Sequence, residues 1–121
     1  MEQSISLDGI KMHVVATADG GEVNSATIFD FTQDDSIVAA RDSGGKIKLG
    51  YLMGIMNSSG SLQFRYTRVD NDGRLDGGCS TCEVSRMADG RVRLLEHFQW
   101  ESRHGTGTNV FEEIGDIIIE N

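Results

Sequence analysis

The clearest pattern in the chain is an alternation of apolar and polar residues that follows the turn dipeptide Asp89-Gly90. Alternation with a period of two is typical of a half-buried β-strand. One face of this segment carries, in order, Val92, Leu94, Glu96, Phe98 and Trp100. Glu96 breaks the apolar character of that face, and a carboxylate buried there without a partner would be costly. The pattern therefore predicts a strand with one inward acid that needs a partner.

Clusters of small polar residues and glycine mark turns along the rest of the chain. They lie at residues 19–21, 34–35, 42–45, 57–60, 70–73, 88–90 and 103–105. We predict a strand for each of the eight segments that they separate, because no window of about 11 residues carries apolar residues at helical spacing. The fifteen glycines and the absence of proline agree with strands joined by tight turns.

The same alternation assigns inward faces to the other strands. The predicted inward sets are Ile10, Met12, Val14 and Ala16; Phe29 and Phe31; Ile47, Leu49, Tyr51, Met53 and Ile55; and Leu62, Phe64, Tyr66 and Arg68. Gly50 and Gly54 indicate a bend, a bulge or a closely packed neighbour within the strand 46–56. The segment 74–87 is mostly small or polar, which indicates a bulged strand or partial loop. A bulge would reverse the assignment of the residues beyond it.

Eight consecutive antiparallel strands joined by short turns form a meander, and closure protects its edges. We therefore predict an all-β fold: a single-domain antiparallel meander that forms a closed or nearly closed up-and-down barrel of the calycin or lipocalin kind. The domain spans residues 1–121, with a core from about 9 to 114 and a tail from 115 to 121. A two-sheet sandwich is the alternative. The interior of an eight-stranded barrel is filled by side chains or holds one small ligand.

Charge and hydropathy restrict the function classes. The net charge of -8, from 19 acidic and 11 basic residues, disfavours binding to nucleic acid or to an anionic membrane. No apolar run approaches the roughly 18 residues of a membrane span, and the N-terminus does not have the pattern of a signal peptide. We therefore expect a cytoplasmic protein whose two cysteines are reduced.

Four stretches carry a resemblance to a known family. They are Gly44-Gly45-Lys46-Ile47-Lys48-Leu49-Gly50-Tyr51-Leu52-Met53-Gly54, Leu62-Gln63-Phe64-Arg65-Tyr66, Asp89-Gly90-Arg91-Val92-Arg93-Leu94-Leu95-Glu96-His97-Phe98-Gln99-Trp100 and Val110-Phe111-Glu112-Glu113-Ile114. In order and spacing, from about Gly9 to Ile114, the chain resembles a family of small bacterial β-barrel proteins. Its members commonly carry the automatic name N-acetylglutamate synthase, which implies an acetyl-CoA-dependent acetyltransferase.

The residues themselves do not predict that activity. An acetyltransferase of the usual fold binds the cofactor pyrophosphate at a glycine-rich turn that opens a helix. The nearest match, Arg103-His104-Gly105-Thr106-Gly107, has its first glycine two residues after the arginine, where three are needed. No helical pattern follows it. Whether the protein is an enzyme is left open.

The cysteines and histidines predict neither a metal site nor a cofactor. Cys79 and Cys82 match a CxxC pattern, but residues at i and i+3 of a strand face opposite sides of the sheet. A bulge in the segment 74–87 would bring them back into consideration. The three histidines, at 13, 97 and 104, do not have the spacing of metal ligands. Small strand residues and surface histidines are the better interpretation.

The inward polar residues define a candidate ligand site. We predict that Glu96, Arg68, Tyr51 and Tyr66 contact the polar end of a small molecule, and that Phe64, Phe98 and Trp100 wall its apolar part. The structural alternative is a buried ion pair or a carboxylate bonded to tyrosine. Two other functions remain open: an enzyme that uses Glu96 as its general base, and an oligomeric module. In that module the tail residues Ile117-Ile118-Ile119 pair two chains into a homodimer.

Overall fold

The structure is a computed structural model that describes residues 5–17 and 22–115. The predicted turn at 19–21 and the tail beyond Gly115 lie outside the described residues. The described chain forms eight strands, in the order β1 (Lys11–Thr17), β2 (Ile28–Asp34), β3 (Ile37–Gly44), β4 (Ile47–Met56), β5 (Ser61–Asp70), β6 (Leu75–Arg86), β7 (Val92–Trp100) and β8 (Thr106–Glu113). Within the described part of the chain, no helix is long and apolar enough to cross a membrane.

The eight strands form a closed antiparallel barrel. Each strand pairs with its neighbours in sequence, and β1 pairs with β8 to close the sheet. The predicted fold class is confirmed, and the two-sheet sandwich is wrong. Because closure gives every described strand two neighbours, alternate side chains point into one enclosed core.

The predicted inward faces are correct for β2, β5 and β7. Phe29 and Phe31 of β2 are buried. So are the alternate residues of β5 and β7, namely Leu62, Phe64, Tyr66, Arg68, Val92, Leu94, Glu96, Phe98 and Trp100. The segment predicted as a bulged strand or partial loop is instead β6, the longest strand, which pairs in regular register with both neighbours. Its small residues are tolerated because neighbouring aromatic side chains fill the interior.

The predicted inward face of β4 is wrong. The side chains of Tyr51, Met53 and Ile55 are 55%, 65% and 63% exposed. The register with β5 shifts between Ile47 and Leu49, which marks a bulge. Ile47 faces inward, and beyond the bulge the parity reverses, so that the inward set continues with Gly50, Leu52, Gly54 and Met56. Tyr51 therefore lies outside the barrel.

A second bulge, in β1, reverses the predicted inward position of one residue. The register with β8 shifts between Val14 and Ala16. Met12 and Val14 are buried as predicted, whereas Ala16 is exposed. The predicted inward face of β1 therefore ends at the bulge.

Connecting segments cover both ends of the barrel. Leu7 is fully buried, and its backbone N–H donates to the Gln33 side chain at the end where β1 begins. At the other end, the segment 22–27 places Val23 and Thr27 in the core. The Thr27 hydroxyl donates to the carbonyl oxygen of Gly44 at 3.0 Å, which ties this segment to β3.

Replacing Gly54 by alanine should lower the free energy of unfolding by about 1–3 kcal/mol, because it overpacks the contact between β4 and β5. The added Cβ would collide with the carbonyl oxygen of Gln63 and lie 2.5 Å from the Cβ of Phe64. Gly115→Ala is the control, since the Arg91 Cδ nearest to its added Cβ is 3.4 Å away. Urea unfolding of both variants measures the difference, and equal stabilities would contradict the close approach.

Candidate functional site

Glu96 has the partners that its inward position requires. Its side chain is 1% exposed. The Ser80 hydroxyl on β6 donates to Glu96 Oε2 at 2.6 Å, and the Asn109 amide on β8 donates to Oε1 at 2.8 Å. Hydrogen bonds to a charged acceptor are among the stronger ones in proteins. Glu96 therefore joins three neighbouring strands from inside the barrel.

The Asn109 amide is held from both sides. Its nitrogen donates to Glu96, and its Oδ1 accepts a hydrogen bond of 2.6 Å from the Thr17 hydroxyl on β1. A buried carboxylate accepts hydrogen bonds and has none to donate, so Glu96 fixes which way the amide of Asn109 points. Asn109 is 3% exposed, and its side chain faces the interior of the barrel.

A second buried charge, that of Arg68, is paired with Asp42. Arg68 Nε donates to Asp42 Oδ2 at 3.0 Å, and both side chains are buried. The guanidinium carbon lies 4.4 Å from the ring centroid of Tyr66 and 5.7 Å from that of Phe29. Burial raises the pKa of Asp42 by more than the nearby Arg68 lowers it. The rings of Tyr66 and Phe29 therefore stabilise the buried guanidinium of Arg68, in addition to the charge of Asp42.

Gly50 makes room for this ion pair. It lies directly between Asp42 on β3 and Arg68 on β5 in the strand register. A Cβ at this position would come within 2.6 Å of Asp42 Oδ1 and 2.8 Å of Arg68 Cγ. The sequence predicted a bend, a bulge or a closely packed neighbour at Gly50. The structure shows a closely packed neighbour, because the Asp42–Arg68 ion pair occupies the space that a side chain would need.

A narrow void with no room for a water molecule lies next to these groups, beneath the segment 22–27. It is lined by Glu22, Val23, Tyr66, Arg68, Phe98, Trp100 and Asn109. The rings of Tyr66 and Trp100 pack edge to face with centroids 5.6 Å apart. Among the described residues, neither the Tyr66 hydroxyl nor Arg68 Nη2 has a hydrogen-bond partner. Burial raises the pKa of Tyr66 above its usual range, so this hydroxyl remains protonated.

Three residues close the barrel end above the void. Arg103 Nη2 lies 3.0 Å from Glu22 Oε1, and the guanidinium stacks over Trp100 with its carbon 4.1 Å from the ring centroid. We call Glu22, Trp100 and Arg103 the clasp. It connects the segment 22–27 to the segment between β7 and β8, across 81 positions of sequence.

Two further carboxylates, Asp70 and Asp76, lie beside Glu22 of the clasp. Oxygen atoms of Glu22, Asp70 and Asp76 lie within 4.8 Å of one another. Burial and the neighbouring Asp76 raise the pKa of Glu22. Hydrogen bonding to Glu22, assisted by Ser102, lowers the pKa of Asp76. The two shifts share one cause: when either carboxyl group carries a proton, it donates a hydrogen bond to the other.

The predicted ligand residues divide into three groups. Four line the void: Arg68, Tyr66, Phe98 and Trp100. Phe64 is buried beside Tyr66, and Glu96 stands behind Asn109. Tyr51 is on the outer surface because of the β4 bulge, so its predicted place in the interior is wrong.

Five residues around the void, its ion pair and the clasp are not predicted from the sequence. Asp42 and Asn109 were detectable, because they share parity with buried apolar residues of their strands. Glu22, Val23 and Arg103 were not, because their segments carry no alternation that would show them folding over the barrel end.

The two cysteines face opposite sides of the sheet, as predicted from their spacing. Cys82 is buried, whereas Cys79 is partly exposed on the outer surface, and both are free thiols. Burial, together with the charge of Glu96, raises the pKa of Cys82. A thiol that holds its proton more tightly than usual is a poor nucleophile and a poor metal ligand at neutral pH.

A comparison with protein families gives one match. The model of a family described as "Avidin-like protein" matches residues 5–114, which include all eight strands. No curated protein and no solved structure shows a significant match to the chain. The match supports a small β-barrel family, as the resemblance implied, but nothing in it links the chain to the name N-acetylglutamate synthase. Residues 103–107 lie between β7 and β8 and at the start of β8, rather than at the start of a helix.

Replacing Glu96 by leucine should destabilise the barrel much more than replacing it by glutamine. Leucine leaves the Ser80 hydroxyl and the Asn109 amide without partners, at about 1–3 kcal/mol for each group. Glutamine still accepts from Asn109, and its own amide can donate to the hydroxyl of Ser80. Urea unfolding curves of the two variants test this. Equal losses of stability would show that the hydrogen bonds of Glu96 do not hold the strands together.

Proposed function

The chain belongs to the avidin-like protein family, and we propose that it binds one small molecule at the barrel end closed by the clasp. Barrels of this family typically bind small molecules. The observation that carries the proposal is the void, where two buried polar groups without hydrogen bonds in the described structure stand among aromatic rings. Apolar walls with a few convergent polar groups are the usual form of a small-ligand site.

The unpaired groups indicate which part of a ligand they would contact. Arg68 Nη2 is a donor, and the Tyr66 hydroxyl is a donor that also accepts. Both would be satisfied by an acceptor oxygen, such as that of a carbonyl or carboxylate group. Phe98 and Trp100 would then contact the apolar part of the ligand. A buried donor without a partner costs free energy, which ligand binding would recover.

Binding requires the barrel end to open. The closed void has no room even for a water molecule, whereas ligand pockets begin at roughly 300 Å3. Glu22 and Val23 line it from the connecting segment, so displacing these two residues enlarges it without unpairing any strand. We therefore expect ligand access to involve separation of Glu22 from Arg103.

Binding is better supported than catalysis by Glu96. A general base must reach the proton that it abstracts. Both carboxylate oxygens of Glu96 are engaged, by Ser80 and by Asn109, and its side chain does not line the void. In our proposal, Glu96 orients Asn109 toward the ligand and does not contact it. The acetyltransferase activity has no supporting feature in this site.

Replacing Tyr66 by phenylalanine should weaken ligand binding by about tenfold without lowering stability. The change removes one hydroxyl that makes no hydrogen bond among the described residues, and a single hydrogen bond to ligand contributes about 1–1.5 kcal/mol. Tyr51→Phe removes the same atom from the outer surface and is the matched control.

A thermal-shift screen over metabolites with carbonyl or carboxylate groups identifies the ligand, and calorimetry then compares the variants. The proposal fails if no compound stabilises the protein. It also fails if the affinity for a bound compound is the same in Tyr66→Phe and in the wild type.

Exposed apolar residues on β3 and β4 favour a second proposal. The side chains of Ile37, Tyr51, Met53 and Ile55 are each more than half exposed, and we call them the outer apolar face. Such patches on soluble proteins mark contact sites, and avidin-like proteins often form oligomers. We propose that two copies of the chain pack together through this face. The tail residues Ile117-Ile118-Ile119 lie outside the described residues and remain a separate proposal for the same dimer.

Replacing Met53 by glutamate should dissociate that dimer, because it would bury a charge in an apolar interface. Val15→Glu is the control: its side chain is also exposed, at 45%, but it lies on β1, away from β3 and β4. Sedimentation velocity gives the mass of each variant, and of a chain that ends at Gly115. If Met53→Glu keeps the mass of the wild type, the outer apolar face is not the interface.

A further inference from the structure

Three separate segments bring carboxylates together at the barrel end. Glu22 belongs to the segment that follows β1, Asp70 is the last residue of β5, and Asp76 is the second residue of β6. One oxygen atom from each lies within 4.8 Å of the others. This spacing allows the three carboxylate oxygens to bind one metal ion.

Each carboxylate uses one oxygen within the protein. Asp70 Oδ1 accepts from the backbone N–H groups of Asp72 and Arg74. Asp76 Oδ1 accepts from the Ser102 hydroxyl at 2.9 Å, and Glu22 Oε1 accepts from Arg103. When Glu22 and Asp76 are both ionised, the second oxygen of each of the three carboxylates has no hydrogen-bond donor within the ranges 5–17 and 22–115.

The second oxygen of Asp76 points independently to a ligand. Asp76 is 6% exposed, and its Oδ2 is enclosed without a hydrogen-bond partner in the described structure. Arg103 Nη2 is 4.0 Å from this atom, too far for a hydrogen bond. Arg103 is also held in place by its contacts with Glu22 and Trp100. A buried carboxylate oxygen in this state requires either a proton, which Glu22 can share, or a cation that takes the place of that proton.

The local charge selects the kind of cation. When all three carboxylates are ionised, they face one guanidinium in direct contact, which leaves two negative charges. Lys46, Asp72 and Arg74 line the surrounding depression. An all-oxygen ligand set with this charge suits a hard divalent ion such as Ca2+ or Mg2+, and water completes the coordination.

We propose that Glu22, Asp70 and Asp76 form a binding site for a divalent cation of this class. A cation there joins the segment 22–27 to the ends of β5 and β6 and holds the barrel end closed. This site shares Glu22 with the lining of the void, whereas Asp70 and Asp76 do not line the void. Cation binding can therefore be tested whether or not a small-molecule ligand is found.

The test uses the chain after treatment with EDTA and measures the unfolding temperature in CaCl2, MgCl2 or MnCl2. NaCl at equal ionic strength controls for screening. We expect at least one divalent cation to raise the unfolding temperature, and its apparent Kd to increase at least about tenfold in Asp76→Asn. Asp72→Asn removes the same charge from the same depression but not from the three carboxylates, and should leave the Kd unchanged.

Tb3+ provides a second measurement that does not depend on stability. The single tryptophan, Trp100, stacks on Arg103, which also contacts Glu22, so it is close enough to sensitise Tb3+ luminescence. Excess Ca2+ should abolish the signal, and Asp76→Asn should lack it.

The proposal is overturned if about 10 mM of each divalent cation leaves the unfolding temperature unchanged, since even weak protein sites are filled at that concentration. It is also overturned if Asp72→Asn and Asp76→Asn reduce cation binding equally, which would indicate diffuse charge rather than a site.

Discussion

The barrel encloses charged side chains, and each of them needs a hydrogen-bond or ion-pair partner inside the barrel. Glu96 and Arg68 lie where water cannot solvate them, and a buried ion without compensation costs several kcal/mol. The positions around them follow from this requirement. Ser80 and Asn109 surround the carboxylate, whereas Asp42 and the ring of Tyr66 surround the guanidinium. Ser80 and Asn109 come from the strands on either side of β7, and Asp42 reaches Arg68 from β3 across Gly50 of β4, so the polar contacts reinforce the register that places them.

The two buried groups differ in how fully they are satisfied. Both oxygens of Glu96 are engaged, and this contact is complete without any ligand. Arg68 bonds Asp42 through Nε alone, and Nη2 is left over within the described structure. A site that retains unused hydrogen-bonding capacity is suited to binding, whereas a fully paired one is suited to holding strands together. This difference separates the proposed binding region near Arg68 from the fully paired contact at Glu96.

Alternation along single strands was enough to predict the barrel, the inward position of Glu96 and most of the void lining. It failed at β4, because the bulge after Ile47 depends on how that strand meets β5, and local pattern does not encode this. It also missed the clasp. Glu22 and Arg103 are 81 residues apart, in segments without periodicity, and they meet only because the closed sheet brings their loops to one end. Contacts that depend on tertiary closure cannot be read from local pattern.

Closure of β1 against β8 also has a consequence for the order of folding. Met12 pairs with Glu113, so the final ladder joins residues from opposite ends of the chain. Pairings of such long sequence separation form slowly, because a large loop must be ordered before they contribute. During synthesis β1 has only β2 beside it until β8 emerges, and its other edge stays unpaired meanwhile. The nascent chain therefore passes through a stage in which edge-to-edge association competes with closure.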